Sequence, residues 1–124
     1  MKDDIRVILA DNNVQDRESK KRLLNEQGIQ VVYETGDGKK ALENIKKLKP
    51  DVVVMDMILP GVDGLEILEE CREFTEYKPL FIIATALRRE GLIEQALAQG
   101  ANYYMMKPLS ATMLIKRIRQ IAAS

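Results

Sequence analysis

The chain has 124 residues, 46% of them hydrophobic and 31% charged, and its 19 basic residues balance 19 acidic ones for a formal net charge of zero. That is the size of one domain, large enough to bury a core without disulfides or a structural metal, and the balanced charge argues against direct nucleic-acid binding. A single cysteine, Cys71, excludes an internal disulfide, and the absence of histidine excludes a zinc cluster and the Ser–His and Cys–His catalytic pairs. Met1–Asp4 begins no signal-peptide core and no apolar run is long enough to span a bilayer, so a cytoplasmic protein without a membrane partner is expected.

Five short apolar runs alternate with segments of helical period. The first run, Ile5–Ala10, precedes a helix from about Val14 to Gln27, thinly apolar at Leu23 and Leu24 and stopped by Gly28. The second, Gln30–Glu34, is short and flanked by polar residues, which places it at a sheet edge. A helix follows, capped by Asp37, with Ala41, Leu42, Ile45 and Leu48 on one face and Pro50 beyond its end. The third run, Asp51–Asp56, leads to a helix opening at Asp63 and carrying Leu65, Leu68 and Cys71. The fourth, Leu80–Thr85, leads to Leu92, Ile93, Ala96 and Leu97, with Gly100 as the stop. The fifth, Asn102–Met106, leads to a helix capped by Ser110 and apolar at Leu114, Ile118 and Ile121. Nearly continuous apolar strands alternating with helices predict an α/β domain over 1–124, a parallel sheet covered on both faces.

Ligands of such sheets bind beyond the carboxyl ends of the strands. There the first run presents Asp11, Asn12 and Asn13, the third Asp56, the fourth Thr85 and the fifth Lys107-Pro108. Asp56 ends a buried run and can attack phosphorus. Asp11 and Asn12 are oxygen donors suited to Mg²⁺, which needs few protein ligands, although Asn13 and its neighbours could simply cap the next helix. Thr85 offers a hydroxyl and Lys107 an ammonium to a phosphoryl oxygen. Each alone reads as a surface residue; the convergence of carboxylate, hydroxyl and ammonium on one edge carries the weight. Lys107-Pro108 is also a candidate cis peptide.

These residues resemble the response-regulator receiver family along essentially the whole chain. The markers are Leu9-Ala10-Asp11-Asn12-Asn13, the stretch from Val53 through Asp56 and Pro60 to Gly64, Ala84-Thr85-Ala86, Gly100-Ala101 and Lys107-Pro108. Within the family, Gly100–Tyr104 and Ile118–Gln120 are most similar to the receiver of the sporulation transcription regulator of spore-forming bacteria. The resemblance implies a flavodoxin-like (βα)5 fold with strand order 2-1-3-4-5. It implies Asp56 as phosphoacceptor, with Mg²⁺ held by Asp56, the backbone carbonyl of Ile58, Asp11 and Asn12. It also implies Thr85 and Lys107 on the phosphoryl group and Tyr104 as an aromatic switch partnered with Thr85. The donor would be a phosphohistidine on a sensor histidine kinase or phosphotransfer protein. Output would pass through the face of the fourth helix, fifth strand and fifth helix to a homodimer partner or a fused effector domain. The domain would be no enzyme beyond its own phosphotransfer and dephosphorylation.

Asn12 departs from the family, which has a second carboxylate there. An amide oxygen can ligate but brings no charge, so a weakened Mg²⁺ site is expected. Removing an anion beside Asp56 could equally bias the domain toward its active shape. The alternative function is therefore a pseudo-receiver, a phosphorylation-independent interaction module, against which intact Asp56, Thr85 and Lys107 count. A two-aspartate phosphatase would need an acid where Ile58 stands, and a flavin carrier a phosphate loop in place of Asp11-Asn12-Asn13. Arg88, Arg89, Lys116, Arg117 and Arg119 read chiefly as solvated helix surface near the output face, Cys71 as a core-side residue, and the methionines as packing residues.

Overall fold

A computed structural model describes residues 4–86 and 89–123. Five strands, β1 (Arg6–Ala10), β2 (Gln30–Thr35), β3 (Val52–Met55), β4 (Leu80–Thr85) and β5 (Tyr103–Met106), alternate with five helices. These are α1 (Val14–Glu26), α2 (Gly38–Leu48), α3 (Gly64–Arg72), α4 (Glu90–Ala98) and α5 (Ala111–Ala122). All strand pairs are parallel and the order is β2-β1-β3-β4-β5. β2 lies at an edge, as its polar flanks indicate.

The sheet is buried on both faces because its strands carry apolar side chains to both. Ile8, Ala10, Val53, Met55, Phe81 and Ile83 pack with Ala41 and Ile45 of α2, Ile67, Leu68 and Cys71 of α3, and Ala96 of α4. The alternate residues Val7, Leu9, Val52, Val54, Ile82 and Ala84 pack with Leu24 of α1 and with Leu114 and Ile118 of α5. This two-residue alternation between faces follows from the pleat. Leu23 and Leu24 make α1 the least apolar helix partner, and only Leu24 of it is buried.

The helix ends follow the expected chemistry. Asn13, Asp37, Asp63 and Ser110 each accept a backbone N–H of the first turn of the helix they precede. Gly28 and Gly100 take positive φ just beyond α1 and α4. Strand limits move by a residue where hydrogen bonds redirect the chain. The Asn102 N–H donates to the Phe81 carbonyl and its Oδ1 accepts the Phe81 N–H, and Asn102 stays outside β5. Asp51 and Asp56 bracket β3, the former accepting the Arg6 N–H with its carboxylate. Thr35 extends β2 by pairing with Ala10, past a register shift between Val7 and Ile8.

Cys71 is buried, and burial pushes its thiol up to about 12. Met55 and Met57 are buried in the core, whereas Met113 is 39% exposed, so packing accounts for only some of the methionines. Among the described residues no helix is long and apolar enough to cross a membrane.

Candidate functional site

Strand register brings the expected residues to one rim. Ala10 faces Met55 and Met55 faces Ile83, while Thr85 faces Met106. The residues after these strand ends are then tied across the sheet. The Asp11 N–H donates to the Thr35 carbonyl at 2.9 Å, the Asp56 N–H to the Ala10 carbonyl at 2.9 Å, and the Lys107 N–H to the Thr85 carbonyl at 2.9 Å. Asp11, Asp56 and Lys107 thus leave the sheet side by side at its carboxyl edge.

Two glycines shape the loop after β3. A Cβ on Gly38 would stand 1.6 Å from the Val62 carbonyl oxygen, and one on Gly64 2.9 Å from the Met57 Cα. Gly38 and Gly64 also donate backbone N–H bonds to Pro60 and Met57. Glycine is required at both positions for close backbone approach, and the loop carrying Met57–Asp63 is held against α2 as a result.

The side chains converge on the Lys107 ammonium. Its Nζ lies 2.6 Å from Asp11 Oδ2 and 2.9 Å from Asp56 Oδ2, and the three side chains are 16%, 18% and 12% exposed. Burial alone would lower the Lys107 pKa; hydrogen bonds and attraction from Asp11 and Asp56 outweigh it and raise it. The remaining carboxylate oxygens are also engaged. Asp11 Oδ1 accepts the Asn13 N–H at 2.9 Å, and Asp56 Oδ1 accepts the Ile58 N–H at 3.1 Å. Each is an Asx-type turn that fixes the carboxylate relative to its own backbone.

Thr85 is 1% exposed at the end of β4. Tyr104, half-buried on β5, packs on the α2–α3–α4 side, and burial together with the Asp56 charge raises its phenol. Asn12 and Ile58 are exposed beside the carboxylates, Ile58 at 56%. The Lys107-Pro108 peptide is cis. Asp11, Asp56 and Lys107 are therefore in direct contact, while Asn12, Ile58, Thr85 and Tyr104 surround them on neighbouring elements.

Two carboxylates, Asp11 and Asp56, reach one point, that now taken by the ammonium, and the exposed Asn12 and Ile58 lie one and two residues along the chain from them. Among the described residues no group of three or more His, Cys, Asp and Glu gathers that could hold a metal by itself. An all-oxygen set with two carboxylates fits Mg²⁺, which keeps several waters.

Sequence reasoning missed Arg17. Its guanidinium donates to the Asp11 backbone carbonyl and to Glu34 on β2. The signal available was an arginine one turn past the capping Asn13. The basic residues expected near the output face separate. Arg117 stacks over Tyr103 at 4.5 Å, and Arg119 turns away to donate to the Gln27 carbonyl at the end of α1. Arg89 precedes α4 without a side-chain cap bond, and Arg88 lies outside the described residues.

Comparison with known proteins agrees with this geometry. The family model for the response regulator receiver domain matches residues 7–119. Two transcriptional regulatory proteins of Mycobacterium tuberculosis are similar. PdtaR is 34% identical over 113 residues, 91% of this chain and 54% of its own length. TrcR is 38% identical over 120 residues, 93% of this chain and 44% of its own length. The chain thus spans about half the length of these relatives. Among solved structures, the signal receiver domain of the response regulator NarL from Mycobacterium tuberculosis superposes with a TM-score of 0.92 at 31% identity, covering 99% of each chain. The strand order, the alternation of five strands with five helices and the match over residues 7–119 agree: the chain belongs to the response-regulator receiver family.

Proposed function

We propose that this domain is a phosphorylation-switched signal receiver in which Asp56 accepts a phosphoryl group from a phosphohistidine donor on a sensor kinase or phosphotransfer protein. The observation that carries this reading is the Lys107 ammonium, set 2.9 Å from Asp56 and 2.6 Å from Asp11 at the carboxyl edge of the sheet. An Asp56 carboxylate oxygen forms the new P–O bond as the P–N bond to the donor imidazole breaks. The imidazole nitrogen keeps the electron pair and takes a proton from solvent. Asp11, Asn12, Asp56 and the Ile58 carbonyl would hold Mg²⁺, which supplies charge neutralisation to the transferring group.

The protein's own part is positioning and electrostatics. The Ile58 N–H holds Asp56 by Oδ1, which fixes the direction of attack. Lys107 exchanges its contact with the Asp56 carboxylate for one with a phosphoryl oxygen. The Thr85 hydroxyl closes on another, and Tyr104 turns toward the space that Thr85 leaves. β5 and α4 carry that change to the α4–β5–α5 face, where a second copy or an effector domain reads it. A bias of a few kcal/mol is sufficient for such a switch.

Asn12 weakens the metal site because it supplies an oxygen without charge. The experiment is intact-mass measurement after incubation with acetyl phosphate, with and without Mg²⁺. The expected result is one added phosphoryl group, dependent on Mg²⁺ and absent in Asp56→Asn. An unchanged mass at saturating Mg²⁺, with labelling recovered in Asn12→Asp, would instead support a phosphorylation-independent interaction module.

A further inference from the structure

Arg17 stands one turn into α1, outside the Asp11–Lys107–Asp56 ion pairs, yet it is nearly enclosed, its side chain 13% exposed. Its Nη1 donates to the Asp11 backbone carbonyl. Its Nε donates to Glu34 Oε1 at 3.1 Å, and the other Glu34 oxygen takes Lys21 Nζ at 3.1 Å. The turn after β2 leaves room for the guanidinium. A Cβ on Gly36 would lie 3.2 Å from Arg17 Nη1 and 3.3 Å from the Asn12 Cα.

We propose that Arg17 is a positioning residue for the phosphoryl site: its guanidinium, braced on β2 by Glu34, fixes the Asp11–Asn12 peptide and so aims the oxygens of both residues. The proposal rests on the reading of Asp56 as phosphoacceptor. A peptide unit is planar and turns as one body, so holding the Asp11 carbonyl fixes the direction in which the chain enters Asn12. Asn12 has no charge to draw a cation from a distance, so its contribution depends on where its amide oxygen points. The planar guanidinium donates to two acceptors at fixed angles, which a lysine ammonium on a flexible stem does not reproduce. Supporting groups of this kind typically change metal affinity about 10- to 100-fold.

The test compares Arg17→Ala, Arg17→Lys and Glu34→Gln with Tyr77→Phe. The last removes the Tyr77 hydroxyl bond to the Pro50 carbonyl at the opposite end of β3 and is a control for stability alone. Mg²⁺ affinity is read from the backbone amide shifts of Asn12 and Asn13, and labelling of Asp56 from acetyl phosphate, at a temperature where every variant is folded. Arg17→Ala and Arg17→Lys are expected to weaken Mg²⁺ and slow labelling about 10-fold, and Glu34→Gln about 3-fold. Tyr77→Phe is expected to change neither while losing urea stability. The proposal is overturned if Arg17→Lys matches wild type in Mg²⁺ affinity, or if Tyr77→Phe weakens Mg²⁺ as much as Arg17→Ala. Failure of wild type to label would overturn the phosphoacceptor reading instead. The metal-free Asn12 amide shift then still decides the positioning role: displacement in Arg17→Lys supports it, and coincidence with wild type overturns it.

Discussion

Replacing Lys107 by methionine keeps most of the side-chain volume and removes the ammonium from between two carboxylates. The contacts at 2.6 and 2.9 Å are short, and all three side chains are less than one-fifth exposed. A pair of unit charges at such range is worth about 1.5 kcal/mol in water and about 6 kcal/mol at an effective dielectric near 20. The half-enclosed rim lies between these limits, and the cation's own burial opposes the gain. Loss of the ammonium is therefore expected to cost about 1–3 kcal/mol of stability in metal-free protein, as Asp11 and Asp56 are left facing each other. Mg²⁺ is expected to restore most of that loss, because a divalent ion takes the place of the ammonium. Its affinity should rise about 10-fold, equivalent to about 1.4 kcal/mol. Labelling from acetyl phosphate should fall about 100-fold, since nothing then pairs with the phosphoryl oxygen. Urea midpoints with and without Mg²⁺, amide-shift titration and mass spectrometry read the three quantities. Unchanged or weaker Mg²⁺ binding in Lys107→Met would refute the reasoning that ammonium and metal compete for the same two carboxylates.

Asn12→Asp adds the missing charge beside the metal position and is expected to tighten Mg²⁺ about 10-fold and to speed labelling; a titration giving equal affinities would contradict the stated role of Asn12. Burial alone would raise the Glu34 pKa, but its pairs with Lys21 and Arg17 prevail and hold the carboxyl below its usual range. A lowered folded pKa contributes stability above the unfolded value and loses it as pH falls through the folded value. Glu34→Gln is thus expected to be less stable by about 0.5–1 kcal/mol at neutral pH, with the difference vanishing below the ordinary glutamate range; urea midpoints across pH measure it. The Cys71 thiol, pushed up to about 12 by burial, should resist alkylation at pH 8 until the chain is unfolded. Rapid alkylation of native protein would place Cys71 outside the core.

Much of this arrangement was legible in the chain because strand polarity and side-chain alternation are local properties. Ala10, Met55 and Met106 are the last apolar strand residues before a polar one, so Asp11, Asp56 and Lys107 had to leave the sheet at one edge once the strands were parallel. The helix caps Asn13, Asp37, Asp63 and Ser110 were readable for the same reason, since each acts within its own turn. What could not be read depends on distant segments meeting. The requirement for glycine at 38 arises from the Val62 carbonyl 24 residues later, and the Arg17 brace on α1 needs Glu34 on β2. Arg119 likewise reads as solvated until the end of α1 is seen beneath it. The register shift that places Thr35 opposite Ala10 is a property of the β1–β2 pair and of neither strand alone.

The central claim is that the Asp56 carboxylate forms the acyl phosphate. Borohydride reduces an aspartyl phosphate to homoserine, which marks the modified residue in a peptide map. After incubation with acetyl phosphate and Mg²⁺, homoserine is predicted at position 56 alone. Homoserine at another aspartate, or none at all in protein that binds Mg²⁺, would contradict the account.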